Sequence, residues 1–86
     1  MTEREQVQKN LELAELFSQE MLANAELARR IPQGANVFFI PSDDPELASA
    51  NRKLARKARR QGKRVVLISI RLIPRTTYVP VFGIDR

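Results

Sequence analysis

Residues 36–70 read NVFFIPSDDPELASANRKLARKARRQGKRVVLISI, and strand, helix and strand signals follow one another along them. NVFFI (36–40) is a short apolar, β-prone run closed by Pro41, the pattern of a buried strand. SDDPEL then supplies a helix start. Asp44 takes the N-cap position, Pro45 brings its fixed φ to the first turn, and Glu46 faces the positive end of the dipole. The helix is predicted to continue to about Gln61, and Gly62 suits the left-handed position just past a helix end. VVLISI (65–70) follows at once, apolar on both faces. Strand, helix and strand joined this tightly form a βαβ unit, so the two strands are expected to run parallel.

On the N-terminal side, TERE (2–5) fits a capping box with Thr2 as N-cap. Val7, Leu11, Ala14, Phe17 and Met21 follow at steps of three and four, the spacing of one buried helical face. Leu13 and Leu16 do not belong to that stripe. At about 100° per residue, Leu16 lies opposite Ala14 and close to Glu12. A helix apolar on two sides has two neighbours, so Leu13 and Leu16 are candidates for self-association, with a homodimer as the expected assembly. Asn24 is expected to interrupt the helix and cap a short second one before Pro32, and PQG turns the chain. On the C-terminal side, RTTYV (75–79) is a candidate third strand, which Pro80 confines to an edge.

These segments make one α/β domain over residues 1–86, with an N-terminal helical segment packed on a small parallel βαβ sheet of two or three strands. Within it, IPQGANVFFIPSDDPEL (31–47), Asn51 and VVLISI (65–70) resemble a group of short bacterial and archaeal proteins with no assigned function. In that group an N-terminal helix leads into an IPxG turn, a strand, a DDPEL helix start and a second strand. The resemblance covers most of the chain and is weakest over 74–86. It implies the fold class and carries no activity and no functional residue.

The net charge of +5 conceals an asymmetry. Residues 1–48 hold four basic groups against nine acidic ones, whereas residues 49–86 hold eleven against Asp85 alone. A split of this kind calls for a polyanionic partner, or for an acidic half that neutralises the basic half within or between chains. With no Cys and no His, disulfides, thiolate or imidazole metal sites and the commonest general base are all excluded. The longest apolar runs fall far short of the roughly 20 residues of a membrane span. The polar N-terminus is unlike a signal peptide, so a cytoplasmic protein with no membrane partner is expected.

Eight of the fourteen residues from Asn51 to Arg64 are Lys or Arg, and none is acidic. With Leu47 at zero angle, Leu54 and Ala58 fall within about 20° and Asn51 at about 40°, a narrow inner face. Arg52, Arg56, Arg59, Arg60 and Lys63 spread over the opposite side, with Lys53 and Lys57 on one flank and Arg64 just beyond. Cations near a helix C-terminus are favourable, which accounts for Arg59, Arg60 and Lys63. It does not account for the pairs 52/56, 53/57, 56/60 and 59/63, each of which costs a few tenths of a kcal/mol by like-charge repulsion. Two kinds of partner offset that cost: the phosphates of RNA or DNA, or an acidic protein surface such as the Glu-rich first helix of another copy. The excess of Arg over Lys suits either. No aromatic interrupts the strip to stack a base, so backbone contacts without sequence preference are expected.

Ser42, Asp43 and Asp44 lie where parallel α/β sheets bind ligands, at the carboxyl end of a strand. They are an alternative ligand loop, for a nucleotide or a divalent cation. Against this, Asp44 is already engaged as an N-cap, and two carboxylates repel phosphate. No serine has a histidine to activate it, and the adjacent Asp43 and Asp44 diverge rather than pair as acid and base. The chain is therefore expected to be non-enzymatic and to need no cofactor, with a structural or regulatory interaction module as the alternative to nucleic-acid binding.

Overall fold

The computed structural model describes residues 1–74 and 78–85. The segment 36–70 folds as its chemistry requires. Strand β1 (Asn36–Pro41) leads to helix α3 (Pro45–Arg60) and then to strand β2 (Val65–Pro74). At the start of α3 the Leu47 N–H donates to Asp44 Oδ1 at 3.1 Å. At its end Gly62 adopts a φ of 78° and its N–H donates to the Arg59 carbonyl. β1 and β2 pair in parallel, from Asn36 opposite Val65 to Pro41 opposite Ile70.

The third strand differs from expectation. It is β3 (Tyr78–Asp85), later in the chain than 75–79, while residues 75–77 lie outside the described residues. β3 pairs antiparallel with β2, from Leu67 opposite Asp85 to Pro74 opposite Tyr78, so the sheet is mixed rather than parallel. A connection this short permits only an antiparallel return. Pro80 and Gly83 weaken the strand signal of VPVFGID, and pairing along β2 outweighs them. The order β1-β2-β3 also leaves β1 at an edge, not buried throughout: Phe39, Ile40 and Pro41 are buried while Asn36 is exposed.

Alternation along the strands divides the molecule into three layers. On one face Phe39, Val66, Ile68 and Ile70 form a core with Phe17 of α1 (Glu3–Ala23) and Leu27 of α2 (Ala25–Arg29), with Phe82 and Ile84 of β3 packed beside them. Phe17 meets Phe39 edge-on at 5.8 Å and Phe82 at 5.3 Å between ring centroids. On the other face Ala55 and Ala58 of α3 pack on Val65, with Phe38 and Leu67 around them.

Helix α1 begins at Thr2, whose Oγ1 accepts from the Glu5 N–H. The C-terminal half of the predicted stripe packs on the core, with Phe17 buried and Ala14 and Met21 beside it, but the N-terminal half does not. Val7 and Leu11 are 54% and 61% exposed, and Leu13, assigned above to an outer face, packs half-buried on the core. The inner stripe runs Gln6, Asn10, Leu13, Phe17, again at steps of four and three. Its first two members are polar because they meet Asn51 of α3 rather than the sheet. Apolar spacing alone cannot see a buried polar partner. In α3 the inner stripe is Leu47, Asn51, Ala55 and Ala58, and Leu54, predicted to face inward, is 45% exposed beside α1. Asn24 ends α1, although its side chain makes no capping bond to α2.

Candidate nucleic-acid interface

Because α3 lays Leu47, Asn51, Ala55 and Ala58 on the sheet, its charged positions from Arg52 onward face solvent. Arg52, Lys53, Arg56, Lys57, Arg59 and Arg60 are all exposed, and Lys63 and Arg64 continue the strip through the turn. At about 1.5 Å per residue the helical part spans roughly 12 Å from Arg52 to Arg60. The Arg64 carbonyl accepts from the backbone and side-chain N–H groups of Asn36, which anchors the end of the turn to β1. The ion pairs among the described residues are Met1 amino group–Glu46, Lys9–Asp44 and Arg29–Glu26. None of the eight strip cations takes part. Among the described residues, no ion pair therefore joins the acidic half to the basic strip within one chain.

The strip has two flanks. Toward β2, Arg52, Arg56 and Arg59 line a narrow cleft over Leu67. Arg71 of β2 is exposed on the same face of the sheet and shares a second cavity with Arg52. Sequence reasoning passed over Arg71, yet a period-two signal marks it: Ser69 and Arg71 alternate with Ile68, Ile70 and Leu72 in an otherwise apolar strand. On the other flank, Leu54 meets Val7, Leu11, Asn10 and the β1 residues Val37, Phe38 and Phe39 around an apolar groove of about 350 Å³.

Asn51 positions the strip. Its Nδ2 donates to the Phe39 carbonyl and to Asn10 Oδ1, each at 2.8 Å, and its Oδ1 accepts from Gln6 and Asn10, each at 3.0 Å. One buried amide thus ties α3 to both β1 and α1.

The loop at 42–44 does not gather a metal site. Among the described residues no group of three His, Cys, Asp or Glu side chains converges. Asp44 is engaged twice, by the Leu47 N–H and by Lys9 Nζ at 3.0 Å. The Lys9 hydrogen bond, then the Leu47 N–H, hold its carboxyl below the ordinary aspartate range, and the same contact raises Lys9. Asp43 is exposed, and Ser42 faces the cavity shared by Arg52 and Arg71. Of the two candidates for self-association, Leu16 is exposed and Leu13 is directed inward.

No described helix is long and apolar enough to cross a membrane. Comparison with curated proteins and with solved structures gives no match. The profile of one family matches residues 5–79, from the first turn of α1 into β3, and the chain accordingly belongs to DUF5647, a family of unknown function.

Proposed function

We propose that the protein is a non-enzymatic binding protein whose α3 strip engages the phosphate backbone of RNA or DNA. One observation carries this reading: eight cationic side chains from Arg52 to Arg64 stand together at the surface, and none pairs with a carboxylate among the described residues. The strip holds no base-stacking aromatic, so binding depends on charge and is indifferent to sequence. Four phosphate contacts give a salt slope of about −3.6, roughly a 150-fold loss of affinity from about 50 to 200 mM salt. Fluorescence anisotropy of labelled single-stranded RNA, single-stranded DNA and duplex DNA at those two salt concentrations tests it. Micromolar binding with that slope, abolished by Arg56→Glu with Arg60→Glu, is the expected result. No binding at the lower salt sinks the reading.

A second reading is favoured by the apolar groove between α1, α3 and β1. Its occupant on this reading is a second copy of the chain. Glu5, Glu12 and Glu15 are exposed on α1, and they complement the unpaired cations of a partner's α3. Val7, Leu11 and Leu54 supply the apolar surface.

A further inference from the structure

A shallow cavity of about 470 Å³ opens between α3 and β2, at the carboxyl end of β1 and beside the middle of β2. Its polar lining consists of Arg52 from α3, Arg71 from β2, and Ser42, Ser49 and Ser69. Ligands bind at this end of parallel strands in open α/β sheets, because strand ends and helix starts converge there. Two guanidinium groups facing one space repel each other unless an anion lies between them. Neither has a carboxylate partner among the described residues.

The carboxylates near the start of α3 are drawn away from this cavity. Asp44 is held by Lys9 and the Leu47 N–H, and Glu46 by the Met1 amino group, all on the α1 side of the helix. Asp43, the other carboxylate of the loop, is exposed. Ser69 Oγ donates to the Gly83 carbonyl only over 3.4 Å, a long contact that leaves the hydroxyl free to turn to a better acceptor.

We propose that this cavity is an anion site for a phosphomonoester. Arg52 and Arg71 clamp the group, and the hydroxyls of Ser42, Ser49 and Ser69 donate to its remaining oxygens. Two planar forks with three hydroxyls exceed what a carboxylate can accept, whereas they suit the three terminal oxygens and double charge of a phosphomonoester. Such a group comes from the end of a nucleic-acid strand or from a small phosphorylated molecule. The strand-end source rests on the reading of α3 as a nucleic-acid interface, since Arg52 belongs to both; the site itself does not.

Two measurements on the full chain test it. In the first, amide ¹H–¹⁵N shifts are followed while inorganic phosphate is added; saturable changes confined to Ser42, Ser49, Arg52, Ser69 and Arg71 are expected. In the second, anisotropy compares a short strand carrying a 5′-phosphate with the same strand ending in a 5′-hydroxyl. The phosphorylated strand is expected to bind about tenfold tighter, the effect of one charge-assisted contact set. Arg71→Gln brings that ratio to about one on the same scale, and Ser49→Ala, which raises helix propensity and so carries no folding cost, lowers it partway.

If no strand binds but phosphate produces the localised, saturable shifts, the site stands with a small molecule as its ligand, and the α3 strip reading fails. If both strands bind equally and phosphate shifts are dispersed along Arg56–Lys63 or do not saturate, the site is overturned while the strip stands. A ratio that survives Arg71→Gln also overturns it.

Discussion

Asn51 is 1% exposed, and its amide uses both oxygen lone pairs and both N–H groups. Such a group is stabilising only while every partner is present, because a buried amide or carbonyl left unpaired bears its desolvation cost. Asn51→Ala strips the Phe39 carbonyl of its side-chain donor and is expected to cost about 2–3 kcal/mol in urea unfolding. Asn10→Ala removes fewer bonds, and the double variant is expected to lose less than the sum of the two, since both act on one network. Asp44 provides a pH test. Its folded carboxyl lies below the ordinary aspartate value, so its charge contributes stability above about pH 4, and that part is lost as pH falls through the folded value. Asp44→Asn retains an N-capping side chain but loses the charge. Its stability, followed by thermal unfolding from neutral to acid pH, is expected to lack the wild-type decline at the acid end, so that the two curves converge there.

At the scale of elements, α3 shows interior and exterior demands satisfied separately. Leu47, Asn51, Ala55 and Ala58 place it on the sheet, and small alanines let it approach closely. Its outer positions make no contribution to that packing, and the strip works against the helix through the 52/56 and 56/60 pairs. Arg56→Glu converts both pairs to attraction. It is expected to raise stability by up to about 1 kcal/mol at low salt, shrinking as salt screens the charges, while weakening nucleic-acid binding. Stability that falls in this variant, measured by chemical denaturation, means that the strip contributes to the fold. The caps of α3 were legible residue by residue, because Asp44, Pro45 and Gly62 act through their own backbone and nearest neighbours. The N-terminal half of the inner stripe of α1 was not, because Gln6 and Asn10 face inward only on account of an asparagine more than forty residues away.

At the scale of the molecule, the sheet has one edge at β1, and the apolar groove lies beside it. A second copy seated there buries Val7, Leu11 and Leu54. Sedimentation velocity is expected to give a dimer that Leu11→Glu converts to a folded monomer, since Leu11 is exposed within the chain. A monomer at all accessible concentrations leaves the α3 strip as the sole candidate surface of the two. The charge asymmetry belongs to this scale too. It was plain in the sequence, but only the folded arrangement shows that no α1 carboxylate pairs with an α3 strip cation among the described residues.

By itself the sequence determined the α/β class, the parallel pairing of β1 with β2, the ends of α3 and the existence of the basic strip. Each of these depends on dihedral preference, capping or periodicity over a few adjacent residues. The tertiary structure alone decided that β3 returns antiparallel from Tyr78, that Val7, Leu11 and Leu54 stay outside while Leu13 turns in, and that Arg71 shares a cavity with Arg52. These outcomes depend on which distant surface each side chain meets. Local periodicity does not encode that, because burial is a property of pairs of elements and not of one.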